Sequence, residues 1–235
     1  MVVAGLAWWH MGRMASGAVP CHPAAPDGKP WSWPELGSAV AMWMVMMGGM
    51  MLPIVSPWLL ALSGKAREAE GGPAPFPALG AFLGGYLAVW SAYSLLAAAG
   101  QLALQRAALL SGEGVLTHRL LAGGLLVGAG VYQWSPFRDA CMTHCRSPFA
   151  YFLAHWRPGR LGAFSMGARH GLHCAGCCWA LMGLSFVFGV MSLTWMAGLT
   201  AFLLLEKTTS AGPWLGRAGG VLLFAGGLWM AFGPA

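Results

Sequence analysis

Long apolar runs without period-two alternation, parted by short polar or Pro/Gly-rich breaks, organise this chain. A helix needs about 20 residues to cross a bilayer core. Lipid offers the backbone no hydrogen-bond partner, so spanning runs must be helices or closed-barrel strands. The lack of alternation selects helices. Runs near 35–63, 77–104, 120–134, 167–189, 191–205 and 214–232 predict six of them. Residues 1–19 are too short and interrupted for a full span and read as the end of a first helix. The Pro-rich break 20–34 carries interfacial Trp31 and Trp33, and the amphipathic stretch 135–166 holds too much charge to cross. The pattern predicts an all-α, polytopic transmembrane helical bundle of about six to seven helices, built as a single integral membrane domain over 1–235.

Composition strengthens this expectation. The chain is 57% hydrophobic and 9% charged, with mean hydropathy +0.62. A soluble domain averages about 25% charged residues. Thirty-five glycines suit closely packed membrane helices. The net charge of +6 is scattered through loops rather than gathered in a stripe, which argues against nucleic acid as a partner. Alternating sides along the runs gathers Lys65, Arg67, Arg138, Arg146, Arg157, Arg160, Arg169, Lys207 and Arg217 on one side. Arg13, Lys29, Arg106 and Arg119 fall on the other. The excess of positive charge marks the first side as cytoplasmic, in a multi-pass protein of the bacterial cytoplasmic membrane.

Three groups of soft side chains carry the candidate chemistry. In "HGLHCAGCCW", His170, His173, Cys174, Cys177 and Cys178 are spaced i, i+3, i+4, i+7, i+8, one helical stripe. Clustered polar groups in an apolar segment call for a partner. A lone buried Cys is a small hydrophobe, and a lone His is commonly a satisfied core residue, but packing accounts poorly for five on one stripe. In "CMTHC", Cys141 and Cys145 are i, i+4 with His144 beside them. Their β-carbons, about 5–6 Å apart on a helix, are too distant for a disulfide, which wants about 3.8 Å. A shared metal tolerates the wider spacing, as would two free thiols in a reducing compartment. Met42, Met46 and Met50 form an i, i+4, i+8 stripe with Met47 and Met51 alongside, either as core filling or as thioether ligands. Thiolates and thioethers favour Cu(I), while the histidines leave zinc or iron open. Glu206, beside Lys207 at a span end, reads as an interfacial, paired carboxylate or else a proton or ion group. Cys21 and His22 are a weaker candidate, since two adjacent ligands do not make a site.

With these groups on the page, the chain resembles a bacterial family of uncharacterised integral membrane proteins described as metal-binding. The motifs are Met42-Trp43, Val45-Met46-Met47 and Met50-Met51-Leu52-Pro53, then Cys141, Cys145-Arg146 and Pro148. His170-Gly171, Cys174, Gly176-Cys177-Cys178-Trp179 and Glu206-Lys207 complete the set. His144 and His173 stand outside the usual pattern. The resemblance implies a membrane fold with a metal-binding role.

Three functions follow. The first is a membrane metal-handling protein that binds a thiophilic ion, foremost Cu(I), for transport or delivery, with a metallochaperone or membrane enzyme as partner. The second is a membrane thiol–disulfide oxidoreductase, prompted by Cys174-x-x-Cys177. The third is a non-catalytic, cofactor-holding subunit of a larger complex. No phosphate-cradling loop, Ser-His-Asp order or zinc-protease helix is present, so the balance leans away from an enzyme.

Overall fold

A computed structural model describes residues 2–15, 33–70, 76–111, 114–190 and 192–234. Its helices are α1 (Val2–Ala15), α2 (Trp33–Glu70), α3 (Phe76–Arg106), α4 (Arg119–Tyr132), α5 (Pro136–Cys145), α6 (Pro148–His155), α7 (Gly159–Gly183), α8 (Ser185–Phe188), α9 (Leu193–Thr208) and α10 (Gly212–Phe232). The all-α expectation stands; the count of spans does not. Among the described residues four segments are long and apolar enough to cross a membrane, not six to seven: Trp33–Lys65, Phe76–Arg106, Gly159–Phe188 and Gly212–Phe232. The shortfall is one of length. α4 has 14 residues and α9 has 16, below the roughly 20 that the bilayer core demands. The helix α7, long and apolar enough to cross, also begins at Gly159, inside the stretch expected to be amphipathic and non-crossing.

Local sequence explains where the short helices start. α5 and α6 each open on Ser-Pro, Ser135-Pro136 and Ser147-Pro148, where the proline ring presets the first helical turn. Ser192 caps α9 by accepting from the Trp195 amide at 3.3 Å. α8 ends at Gly189, whose φ of +99° a side chain would resist.

α2 runs through Pro53 and Pro57. Each proline lacks the N–H that the carbonyl four residues earlier expects. Both carbonyls find substitutes: the Trp8 indole N–H donates to Gly49 at 3.2 Å, and the Ser56 hydroxyl donates to Pro53 at 2.7 Å. Such replacement lets an apolar helix carry proline.

Glycine sets the helix spacing. α4 and α10 meet antiparallel, Gly123 against Gly227 and Gly130 against Gly220, where an added Cβ would lie 2.6–3.1 Å from the facing carbonyl oxygen. α3 and α7 meet as closely: a Cβ on Gly167 would collide with the Phe82 carbonyl, and one on Gly85 with that of Phe164. Small residues at such seams let helices gain van der Waals contact where lipid supplies no hydrophobic drive between them. Outward lie Leu60, Leu96, Leu172, Leu222 and Trp229, all well exposed.

Helix ends sort to two sides. Arg119, opening α4, donates to the Met230 and Gly233 carbonyls at the end of α10. Arg146, closing α5, donates to Thr209 after α9 at 2.6 Å. Two of the cations assigned to the cytoplasmic side are nonetheless inside the protein: Arg138 is 1% exposed and Lys207 is 8% exposed. They have structural partners, so they weigh less in the charge asymmetry than their number suggests.

Candidate metal centre

The Ser-Pro starts place α5 across the flank of α7, and Gly176 makes the approach possible: a Cβ there would lie 2.9 Å from Cys141 Sγ. The seam gathers cysteines from both helices. Cys145, Cys174, Cys177 and Cys178 are all buried, and the thiols of Cys145 and Cys178 each lie within interaction range of Cys174 and Cys177. Cys145 Sγ is 3.9 Å from Cys177 Sγ. Two sulfurs at that separation, each about 2.3 Å from a shared ion, subtend roughly 115° at it, near trigonal.

Among the described residues no three His, Cys, Asp or Glu side chains already form a coordination sphere. The reason is visible in the rotamers. The Cys177 and Cys178 thiols turn back on their own helix and donate to the Cys174 carbonyl at 3.1 and 2.9 Å. Ligation requires them to rotate away. All five described cysteines are free thiols.

His170 sits one turn before Cys174, 1% exposed and stacked on Trp58 at 3.7 Å. Both its ring nitrogens are buried without a hydrogen-bond partner. Leaving such a group unpaired costs about 1–3 kcal/mol, and neutral imidazole is a common metal ligand. The donor set therefore fits a thiophilic ion. Trp58 also donates its indole N–H to the Cys145 carbonyl at 3.0 Å, tying α2 to the seam.

The remaining sequence candidates are placed differently. His144 and His173 stack at 3.8 Å with planes 15° apart. Imidazole lone pairs lie in the ring plane, so stacked rings do not aim both at one ion. His173 Nδ1 is also engaged with the Arg169 carbonyl at 2.8 Å. Burial, with His173, Arg169 and His155 nearby, pushes His144 down to about 4. Cys141 is buried beside Gly176 at the edge of the four-thiol group, and burial, then the nearby Cys177, raises its thiol. Hydrogen bonding with the Cys174 and Cys177 thiols, then burial, raises that of Cys145. Met42, Met46, Met47, Met50 and Met51 are buried along α2, which packs chiefly on α3 and α1. Cys21 and His22 lie outside the described residues.

Two neighbours were not among the sequence candidates for ligation. Lys207 donates its ammonium to Cys174 Sγ at 3.0 Å, and the Tyr86 hydroxyl lies 3.2 Å from the same sulfur. Glu206 is fully buried rather than interfacial, and Arg138 Nη2 donates to its carboxylate. The adjacent positions 206 and 207 thus serve two faces of α9. A lysine at the end of an apolar run was the available signal.

The geometry defines an apolar helical protein with a thiol-rich interior and an imidazole held ready beside it. The chain belongs to the PpoB2 family, described as copper chaperones, whose model matches residues 40–230. That stretch takes in the whole α5–α7 seam, His170, Lys207 and the methionine stripe. No curated protein and no solved structure matches the chain.

Proposed function

We propose that this protein is an integral membrane copper handler that holds Cu(I) between α5 and α7 and delivers it to a partner. The observation that carries this is the convergence of four buried thiols from two helices beside an unpartnered imidazole, in a chain of a copper-chaperone family. Cys145, Cys174, Cys177 and Cys178 are the principal donors, with His170 completing the set. Thiolates suit Cu(I) as well as zinc and iron–sulfur clusters, and membership of a copper-chaperone family favours Cu(I) among them. Cys141, His144 and His173 flank the seam on the side rich in Arg146, Arg157, Arg160 and Arg169, which the positive-inside rule places in the cytoplasm of a bacterial cell. They serve the ion's entry or exit. Met42, Met46, Met47, Met50 and Met51 make a second soft stripe that passes the ion onward. Release goes to a metallochaperone or a membrane enzyme.

Metal analysis tests this. Protein purified in mild detergent under reducing conditions and equilibrated with Cu(I) is expected to hold copper stoichiometrically. Cys177→Ser with Cys178→Ser should lose it, and copper retained by that double variant sinks the assignment. Met42→Leu with Met46→Leu and Met50→Leu should keep the bound ion in this assay but slow its transfer, timed by stopped-flow handover to a colorimetric Cu(I) chelator. Unchanged transfer removes the methionines from the path.

A further inference from the structure

Lys207 ends α9 with its ammonium inside the protein and pairs with no carboxylate among the described residues. The neighbouring carboxylate, Glu206, is committed to Arg138. Lys207 Nζ instead donates to Cys174 Sγ at 3.0 Å, with the Tyr86 hydroxyl 3.2 Å from that sulfur. A buried ammonium is costly unless an anion stands beside it. Sulfur is the group placed to provide one, and Cys145, Cys177 and Cys178 lie around the same point. An apolar side chain of similar length would fill this space without the charge, so packing does not account for a lysine here.

We propose, resting on the copper-binding function above, that Lys207 is the positioning and charge-balancing residue of this centre and biases it toward a monovalent ion. The donor bond to Cys174 fixes that sulfur, as outer-shell partners fix metal ligands. The charge then decides which ion is tolerated. When two of the four cysteines bind as thiolates and the other two stay protonated, Cu(I) and its ligands sum to −1, and the Lys207 ammonium cancels it. A divalent ion with the same two thiolates sums to zero alone and to +1 beside Lys207. In a buried site such an excess is disfavoured. Each metal–sulfur bond made at a thiol breaks one S–H bond and releases that proton to solvent; no electron moves.

The test compares two ions in the full-length protein. Cu(I) affinity is measured anaerobically by competition with a colorimetric Cu(I) chelator, and Zn(II) affinity by competition with a zinc chelator. Lys207→Met and Lys207→Gln are each expected to weaken Cu(I) by about 10–100-fold, the usual effect of losing an outer-shell partner. Zn(II) binding should stay level or tighten. A fold defect would weaken both ions together, and that result overturns the proposal, as does unchanged Cu(I) affinity in Lys207→Gln. Should Lys207→Met fail to fold, Lys207→Gln, which keeps a polar donor but neither the charge nor the full reach, decides alone. If the native protein binds no Cu(I), the copper function itself falls. If it binds Cu(I) through Cys177 and Cys178 but Lys207→Gln leaves the ion preference unchanged, only the role of Lys207 falls.

Discussion

His170 and His144 show how one residue type takes two roles a few ångströms apart. His170 is sealed against Trp58, Phe82 and Tyr86 with neither nitrogen engaged. His144 sits half-buried at the mouth of the seam, stacked on His173, with Arg169 and His155 close enough to oppose its protonation. An imidazole ordinarily titrates near roughly 6.5, and here it is held at about 4. Below the ordinary value an unfolded chain gains a proton that the folded chain refuses. Stability contributed by neutral His144 is therefore present above about pH 6.5 and is lost as pH falls toward 4. Metal-free protein in detergent should lose melting temperature over that window, and His144→Gln should lose less of it. Equal losses in the two proteins would contradict the burial of this ring.

Among elements, the glycine seams make a sharper claim, because glycines of one helix differ in what faces them. In α4, Gly123 and Gly130 abut the α10 backbone, while Gly124 and Gly128 meet nothing within 4 Å. Alanine gains about 1 kcal/mol over glycine in helix propensity. At Gly124 and Gly128 that gain should appear as a neutral or raised melting temperature. At Gly123 and Gly130 the new methyl group meets backbone that can yield only if the helices part. There a net loss of about 1–3 kcal/mol is expected, as for overpacked cores. Identical behaviour of the two pairs would mean that α4 and α10 are not in register as described.

For the molecule as a whole, the Arg138–Glu206 pair joins the elements that build the centre. Arg138 lies seven residues before Cys145, two turns along one face of α5, and Glu206 precedes Lys207 on α9. Their ion pair therefore sets α5 and α9 together about Cys174. α10 closes over it: a Cβ on Gly216 would collide with the Glu206 carboxylate. Breaking one half of a buried pair leaves an uncompensated charge and costs about 3–5 kcal/mol. Glu206→Leu alone should show that loss in chemical denaturation, with weakened copper binding. Arg138→Met with Glu206→Leu should recover most of the stability. If the single variant is as stable as the native protein, the pair does not hold these helices.

Apolar run length, sparse charge and donor spacing depend on neighbours along the chain, so the sequence alone determined the all-helical class, the long spans and the shared stripe of His170, Cys174, Cys177 and Cys178. Cys145 was legible as a donor type, although nothing local to it says that it faces Cys177. That was decided by the tertiary structure, through the Ser-Pro turns and Gly176. The structure also separated His144 and His173 from a shared ion and showed two apolar runs to be helices of only 14 and 16 residues. Above all it turned Glu206 and Lys207 to different partners. The physical reason is that a charge in an apolar interior is defined by whatever lies opposite it, and for these two residues that lies 68 and 33 positions away in the chain.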